Sequence, residues 1–336
     1  MMLHRNSTWR PLWTVVALAM ALVGTQTLAA EAYPDRPVKL IVAYPPGGGT
    51  DTLARQVGLE LGKELGQPVI IVNRAGASGT IGTTAAARAA PDGYTLVLAT
   101  SSTLIMPMLN RQIKFDVDRD FTPVALLTES PFLLVVPAKS GIRSLPDLTE
   151  YSAKYKGSIN YASTGIGSTQ HLAAEYFKAR QGGDWQHVPY QGGGPMLNAI
   201  LEGQVQVMFT NVLPALPFIR SGRLVPLLLS TKERIPALPD VPTAAETGIS
   251  DFVVGFWSGV LAPKGTPQPV IDRLGAAFLK VMRDRKISDQ LVQQGAVVNP
   301  LNGRDFASYI TRDRLLWEKI IGSTQISLEK DSGGKN

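Results

Sequence analysis

Residues Lys39–Gly58 read KLIVAYPPGGGTDTLARQVG, and this stretch decides the fold class. The apolar run Val38–Tyr44 predicts a buried strand, and Asp51–Leu65 predicts a helix because apolar residues recur at every fourth position. The loop Pro45–Asp51 joins them and is rich in proline and glycine. Glycine lets backbone approach a ligand closely, and the free N–H groups at a helix start attract anions. The stretch therefore predicts an α/β unit with an anion site at its first loop.

The same alternation of strands and helices continues on both sides of a long extended segment, Phe121–Pro137, which contains internal prolines. Alternating strands and helices predict mainly parallel sheets flanked by helices. The further predicted strands are Pro68–Asn73, Thr95–Thr100, Ser158–Ala162, Trp185–Tyr190, Val205–Thr210 and Val253–Leu261. The further predicted helices are Thr80–Ala90, Leu145–Tyr155, Ser168–Arg180, Pro195–Glu202 and the region from Gln268 to Ile321.

Two extended segments, near 121–137 and 224–260, enclose the middle block of the chain. We interpret them as hinge strands that join two α/β lobes. Lobe 1 then comprises residues 33–128 and 250–328, lobe 2 comprises residues 129–249, and residues 329–336 form a flexible tail. The alternative is a pair of sequential domains with one linker.

The first 32 residues have the pattern of a cleavable signal peptide. Basic residues precede the apolar run Pro11–Gly24, and an A-x-A pattern (Ala30-Glu31-Ala32) follows it. A membrane anchor is the alternative, but the run is shorter than the ~20 apolar residues that a span requires. We therefore predict export, with cleavage between Ala29 and Ala32.

Composition excludes several kinds of site. The chain has no cysteine and only three histidines in 336 residues, so we expect neither a metal site nor a disulfide. The net charge of +6 is scattered, without the basic stripe that nucleic-acid binding requires. Hydrophobic residues make up 44% of the chain, enough for a globular protein with a large core.

Three more predicted strand-to-helix junctions are rich in glycine: Asn73–Gly82, Ala162–Leu172 and Tyr190–Leu197. In open α/β sheets, ligands bind outside the carboxyl ends of the strands, where such loops lie. None of the loops completes a P-loop or a dinucleotide-binding motif, and no serine completes the G-x-S-x-G pattern of hydrolases. We therefore predict an anion other than phosphate, no cofactor and no catalytic residue.

Some residues have a structural and a functional interpretation. We interpret His171 as a solvated or capping histidine in the first turn of its helix, and His187 as a strand residue that is packed or exposed by chance. Asp51 needs no role beyond that of a helix cap. Tyr44 and Trp257, at strand ends, are equally compatible with core packing and with ligand stacking.

Six motifs carry a resemblance to a known family: YPDRPVKLIVAYPPGGGTD, VNRAGASGTIG, PDGYTLVLAT, STGIGSTQHLAAE, VPYQGGGP and LPDVPTAAETG. In this order they resemble the substrate receptors of tripartite tricarboxylate transporters, also called Bug receptors. The resemblance implies a two-lobed Venus-flytrap fold of type II, a periplasmic location and a monomer without enzymatic activity. It also implies a small organic carboxylate as ligand and a membrane permease as partner.

The resemblance further implies a set of ligand-binding residues in the matched loops. These are Tyr44, Gly47, Gly48, Gly49, Thr50, Asp51, Ser78, Gly79, Thr80, Ser101, Ser102, Ser163, Thr164, Ser168, Gly192, Gly193, Thr210 and Asn211. Many relatives carry an acidic residue where this chain has Thr210, so we expect a ligand without an ammonium group. Arg74 is the one cation that the matched loops contain.

Two other functions stay open at this point. A carboxylate sensor that feeds a signalling partner would use the same binding site. An exported hydrolase or isomerase would need a nucleophile–base pair that forms only in space. The carboxylate itself also stays open among aliphatic di- and tricarboxylates, aromatic acids, amino acids and nicotinate-like compounds.

Overall fold

The computed structural model describes residues 33–249, 252–324 and 326. The predicted signal peptide and the predicted tail lie outside the described residues. Contacts divide the chain into one unit that ends at Asp35 and a second that begins at Arg36. All that follows concerns the second unit.

The strands of this unit belong to a single 10-stranded sheet. They are β1 (Val38–Val42), β2 (Val69–Asn73), β3 (Thr95–Thr100), β4 (Phe121–Pro137), β5 (Ile159–Ser163), β6 (Trp185–Pro189), β7 (Val207–Asn211), β8 (Leu224–Leu229), β9 (Gly255–Pro263) and β10 (Leu301–Asn302).

The α-helices lie between and after these strands. They are α1 (Gly49–Leu65), α2 (Thr80–Ala87), α3 (Ser101–Leu109), α4 (Val117–Asp120), α5 (Leu145–Lys154), α6 (Thr169–Gln181), α7 (Gly193–Glu202), α8 (Val212–Arg220), α9 (Gln268–Arg283), α10 (Arg285–Gln293) and α11 (Gly303–Thr324). No helix of the described part of the chain is both long and apolar enough to cross a membrane.

The β1–α1 unit forms as its sequence pattern predicts. The strand is almost wholly buried, and the helix buries one apolar stripe that includes Leu53, Val57 and Leu61. Gly66 ends the helix in the left-handed conformation, with φ 72°, which glycine adopts without strain.

Two parallel sets of strands share the long strand β4. The strand order is β2-β1-β3-β9-β4-β7-β5-β6, with β8 and β10 also paired to β4. Strands β1, β2 and β3 are mutually parallel, as are β5, β6 and β7. Strand β4 pairs with β9 as far as Pro131 and with β7 from Phe132 onward. One large core cluster follows β4 through both parts and includes Phe121, Phe132 and Val136.

The register shows where the two parallel sets meet. At the carboxyl end of β3, Thr100 lies opposite Ser258 of β9, and Ser258 lies opposite Thr128 of β4. At the carboxyl end of β7, Asn211 lies opposite Phe132 of β4. The two sets run in opposite directions along β4, so their carboxyl ends face each other across about four residues, roughly 13 Å of strand. The glycine-rich loops therefore converge from two sides.

The structure differs from the sequence-based expectation in several places, and the short elements α4 and β10 were not predicted. Helices α3 and α8 were not predicted, because Pro107, Pro214 and Pro217 interrupt their helical pattern. Proline is tolerated in the first turn of a helix, and packing of an apolar face stabilises the rest. The segment 224–260, predicted as one hinge strand, contains the separate strands β8 and β9.

Candidate ligand-binding site

Asp51 organises the β1–α1 loop from the inside. Its carboxylate accepts hydrogen bonds from Gly47 N at 2.9 Å, Arg55 Nε at 2.9 Å and Asn73 Nδ2 at 2.8 Å, and the residue is only 3% exposed. Burial raises the pKa of Asp51, but these hydrogen bonds and the Arg55 charge outweigh burial and lower the pKa below its usual value. Asp51 is therefore not the helix cap that the sequence suggested. Its side chain shapes the loop, and its charge is balanced by Arg55.

The backbone of this loop presents donors to the outside. Gly47, Gly48 and Gly49 are exposed, while Thr50 is partly buried. Gly48 is the N-cap of α1, and among the described residues no side chain caps this helix. Uncapped N–H groups at the start of a helix attract an anion through their partial positive charge.

The β2–α2 loop is strained. Its four residues Gly76, Ala77, Ser78 and Gly79 have φ values of 130°, 47°, 52° and 93°. Positive φ is uncommon outside glycine, and such strain persists mostly where a ligand or a catalytic group requires it. Gly79 is the N-cap of α2, again without a side-chain cap from the described part of the chain.

Tyr44 connects the ends of β1, β2 and β3. Its Oη lies 2.7 Å from Thr100 Oγ1, and the Ser102 side chain lies near the same phenol. Burial raises the pKa of Tyr44, with smaller opposing effects of Ser102 and Thr100, so the phenol stays neutral. A Cβ at Gly79 would lie 3.2 Å from Tyr44 Oη. The structure thus brings together three predicted residues and Thr100, which sequence reasoning missed although it ends a strand.

Ser101 and Trp257 have structural roles. Ser101 Oγ accepts a hydrogen bond from Trp257 N at 3.1 Å and lies 3.5 Å from Gly255 O. The Trp257 indole donates to Asp313 Oδ2 at 2.7 Å and packs edge-to-face against Phe306. For Trp257, core packing is therefore the correct alternative.

The β5–α6 loop faces the first set from the other side of the gap. Ser163 Oγ contacts the backbone of Gly165, and Thr164 Oγ1 donates to Gln170 Oε1 at 3.0 Å. Ser168 caps α6 by accepting from His171 N at 3.3 Å. The hydroxyl groups of this loop are thus bonded within the loop and its helix, and that of Ser163 also to His187 of β6.

Of the two interpretations of His171, the solvated one was wrong, and the ring instead accepts a backbone N–H just before the start of α6. The His171 side chain is 7% exposed, its Nδ1 accepts from Gly167 N at 3.1 Å, and its ring stacks on His187. His187 is packed, as one of its two interpretations held, and its Nε2 lies 2.6 Å from Ser163 Oγ. Sequence reasoning missed this cluster because the two rings lie on different elements.

Helices α7 and α8 begin on the same side and offer further donors. Gly192, the N-cap of α7, has φ 108°, and a Cβ at Gly192 or Gly193 would contact nothing within 4 Å. Thr210 is 2% exposed, and its hydroxyl makes a long contact of 3.4 Å with Asn211 O. Asn211 is the N-cap of α8 but makes no capping hydrogen bond.

Three buried side-chain atoms lack a hydrogen-bond partner among the described residues: Thr80 Oγ1, Thr83 Oγ1 and Asn211 Oδ1. Most buried polar groups in native proteins are satisfied, so each exception requires an explanation. Two of the three belong to the predicted ligand-binding set and lie on opposite sides of the gap. This is the pattern expected where a ligand supplies the missing partners.

The first turn of α8 touches the opposite loops. A Cβ at Gly49 would lie 4.0 Å from Leu213 Cδ2. Val212 lies directly beside Gly295. A Cβ added to Gly295 would lie 2.3 Å from Val212 Cγ1. These contacts bring Asn211 close to the β1–α1 loop, a proximity that sequence reasoning could not have found.

Chemically, the site consists of neutral hydrogen-bond donors that can bind an anion. Helices α1, α2, α7 and α8 all start at the facing strand ends, and within the described ranges none of them has a side-chain cap. No group of His, Cys, Asp and Glu suited to a metal ion occurs in the described residues. The Ser163–His187 pair has the distance of a nucleophile and its base, but Ser163 is 0% exposed.

Comparison with known proteins identifies the family. The family model described as tripartite tricarboxylate transporter family receptor, TctC, matches residues 53–326. The chain belongs to this family.

Solved structures of TctC-like receptors share the fold. The periplasmic binding protein BugD is 32% identical, with a TM-score of 0.81 over 88% of this chain and 99% of its own. MatC from Rhodopseudomonas palustris with bound malate is 35% identical, with a TM-score of 0.78 over 86% and 100%. Another R. palustris protein, with adipate, is 31% identical, with a TM-score of 0.83 over 88% and 99%. The chain therefore has the two-lobed fold of periplasmic solute-binding proteins, as the sequence predicted.

Proposed function

We propose that this protein is a periplasmic receptor that binds one small organic carboxylate between its two lobes without changing it chemically. The observation that carries the proposal is the set of four uncapped helix starts at facing strand ends. A carboxylate would accept hydrogen bonds from their N–H groups and from Thr80 Oγ1, and a ligand hydroxyl group would donate to Asn211 Oδ1. The predicted ligand-binding residues are part of this proposal.

We further propose that the ligand has a second polar end and no ammonium group. Thr210, buried at the end of β7, provides a hydroxyl where an acidic residue would pair with an ammonium group. The similar receptors mentioned above hold malate and adipate, both of which are diacids. Dicarboxylates are therefore the first candidates.

In this proposal the two lobes have the predicted boundaries, and the chain passes from one lobe to the other near the centre of β4. Strand β4 changes partners between Pro131 and Phe132, and the segment between β8 and β9 makes the second crossover. Closure would be a two-state change, because contacts of the ligand with both lobes form only when the lobes are together.

The binding proposal is tested by incubating the exported protein with a panel of carboxylates that includes malate and adipate. Binding is measured by calorimetry, and mass spectrometry tells whether the acid is recovered unchanged. At a hundredfold excess over Kd, a ligand should add about 2.7 kcal/mol of stability, or roughly 4 °C in melting temperature for a unit of about 300 residues. The dimethyl ester of the same acid is the control. Equal binding of the ester would refute the anion cradle, and turnover would favour the exported-enzyme alternative.

Delivery to a tripartite tricarboxylate-type permease is the final part of the proposal. In a strain that lacks this protein, uptake of the labelled acid should fall and return on complementation. Unchanged uptake with a lost transcriptional response would favour the sensor alternative. N-terminal sequencing of the periplasmic fraction tests export, with a start between Ala30 and Tyr33 expected.

A further inference from the structure

A buried and a partly buried histidine ring contact the β5–α6 loop, Ser163–Ser168. The centroids of His171 and His187 are 3.9 Å apart, and the ring planes differ by only 11°. His171 lies in the first turn of α6 and His187 lies on β6, the strand paired with β5, so the stack connects the helix after the loop to the neighbour of the strand before it. The binding proposal uses neither ring.

The hydrogen bonds of Ser163 define the tautomer of His187. Ser163 Oγ lies 3.0 Å from Gly165 O, 3.1 Å from Gly165 N and 2.6 Å from His187 Nε2. A hydroxyl has one proton and two lone pairs. It satisfies all three contacts only by donating to Gly165 O while accepting from Gly165 N–H and from His187 Nε2–H. His187 is therefore a donor to the loop, with its proton on Nε2.

The second ring is an acceptor. His171 Nδ1 accepts from Gly167 N–H at 3.1 Å, so Nδ1 carries no proton and neutral His171 is protonated on Nε2. One ring thus donates to the start of the loop, and the other accepts from a backbone amide near its end. Together they hold both ends of the segment that the resemblance assigns to ligand binding.

The surroundings disfavour a charge on either ring. Burial lowers the pKa of His171 to about 3, with smaller contributions from His187 and Lys178. Burial lowers the pKa of His187 to about 4, although Glu175 acts in the opposite direction and Lys178 in the same direction. Glu175 is also engaged by Tyr161 Oη at 2.5 Å and by Lys178 Nζ at 2.7 Å.

We infer that His171 and His187 are positioning residues for the ligand: a stacked neutral pair that holds the β5–α6 loop in its binding geometry and releases it on protonation. This inference rests on the proposed function. A proton on His171 Nδ1 would point at Gly167 N–H and replace an acceptor with a donor. A proton on His187 Nδ1 leaves its bond to Ser163 intact but places a positive charge against the other ring. The pair therefore titrates as one unit.

The test uses variants that separate hydrogen bonding from titration. Asn Oδ1 can replace His171 Nδ1 as acceptor, and Gln Nε2 can replace His187 Nε2 as donor, without a titrating ring. The double variant His171→Asn/His187→Gln therefore keeps both loop bonds but loses the ring stack, and protonation of the pair cannot change its affinity. His171→Leu removes the acceptor and should bind about tenfold more weakly than the parent at pH 7.5, the equivalent of about 1.4 kcal/mol.

Binding of malate and of adipate is measured from pH 7.5 to 3.5, with circular dichroism confirming that each sample is folded. Both probes titrate in this range, so the quantity compared is the ratio of parent Kd to double-variant Kd. We expect a ratio that is constant down to about pH 5 and about fivefold higher at pH 3.5. A ratio that stays flat over the whole range would overturn the inference.

A second measurement needs no ligand. Nitrogen-15 NMR of the full chain should show both rings as neutral Nε2–H tautomers at pH 7.5, with the Gly165 and Gly167 amides shifting only as the pair protonates below about pH 5. Titration of either ring near its ordinary value, or an Nδ1–H tautomer, would overturn the positioning role. Failure of every carboxylate in the panel to bind would instead refute the proposed function, while these spectra still decide the state of the pair.

Discussion

Asp51→Asn tests whether the carboxylate beneath the β1–α1 loop holds that loop in shape. Asparagine matches the size of aspartate but replaces one acceptor oxygen with a donor amide. In the parent, one carboxylate oxygen accepts from Gly47 N and Arg55 Nε, and the other accepts from Asn73 Nδ2. Only one of these oxygens survives in the variant.

The amide of Asn73 cannot turn to compensate. Its Oδ1 accepts from Arg55 at 3.0 Å, and its Nδ2 also donates to Tyr44 O at 3.1 Å. If the new amide keeps the bonds to Gly47 and Arg55, its NH₂ group faces the NH₂ group of Asn73. Two donors then oppose each other at a buried site.

The magnitude follows from these contacts. A hydrogen bond to a charged group contributes about 1.5–3 kcal/mol and a neutral one about 0.5–1.5 kcal/mol. Two weakened bonds and one donor–donor contact together cost about 3 kcal/mol, with the Arg55 share discounted because that side chain is half exposed. For a unit of about 300 residues this corresponds to a fall of roughly 5 °C in melting temperature.

The pH dependence has a definite sign. The folded pKa of Asp51 is lowered: burial raises it, but the hydrogen bonds from Arg55, Gly47 and Asn73 outweigh that effect. Its contribution is therefore present above the unfolded pKa of about 3.9 and is lost as the pH falls through the folded value. The stability difference between parent and variant should be constant from pH 8 to about pH 5 and should shrink below about pH 4.

The assay is urea unfolding followed by circular dichroism, with ligand affinity measured on the same samples. Asp272→Asn is the matched control, because Asp272 is exposed on α9 and accepts only from the Gln268 side chain among the contacts described. The control should stay within about 0.5 kcal/mol of the parent. An Asp51→Asn variant as stable as the control, or one that binds ligand like the parent, would refute this account of the loop.

Three more outcomes are expected. Thr80→Val should weaken carboxylate binding about tenfold in calorimetry without lowering the melting temperature, since it removes a buried hydroxyl that has no partner; a lower melting temperature would contradict this. Ser230→Ala should cost about 1–3 kcal/mol in urea unfolding, because Ser230 Oγ accepts from Phe132 N at 2.7 Å at the crossover of β4; unchanged stability would show that the bond is dispensable. Thr210→Asp should weaken diacid binding by the equivalent of about 1–3 kcal/mol, by analogy with the pKa effects of close carboxylates. The exposed control Ser308→Asp should leave diacid binding unchanged. A diacid bound equally well by Thr210→Asp would place Thr210 outside the pocket.

The sequence predicted the fold where pattern and local chemistry agree. The bounds of β4, Phe121–Pro137, were predicted correctly because extended apolar residues and internal prolines leave no helical alternative. Helix α8 was missed for the converse reason, since two prolines hide an amphipathic pattern. Its helical form depends on tertiary packing of Val212, Ala215 and Leu216, and a single sequence does not contain that information.

For the site, the sequence indicated backbone positions better than side-chain roles. Glycine-rich loops predict where N–H groups become available, because glycine and helix starts act through the backbone. The hydrogen-bond partner of a side-chain hydroxyl, in contrast, can lie far away in the sequence. Ser101 bonds to the backbone of Trp257 and Ser163 lies beside His187, so two predicted ligand contacts have partners within the protein that no spacing rule reveals.

The two unsatisfied side chains of the predicted set give the proposed binding mode its selectivity. Thr80 starts a helix on one side of the gap, and Asn211 starts one on the other. Each carries a buried polar atom without a partner in the described residues, and such an atom costs free energy until it is bonded. A ligand that only accepts hydrogen bonds can satisfy Thr80 Oγ1 but leaves Asn211 Oδ1 without a donor, whereas a ligand that also carries a hydroxyl group can remove the two costs together. Neutral donors and acceptors can thus favour ligands of one length and also favour closure, without a salt bridge that would slow release.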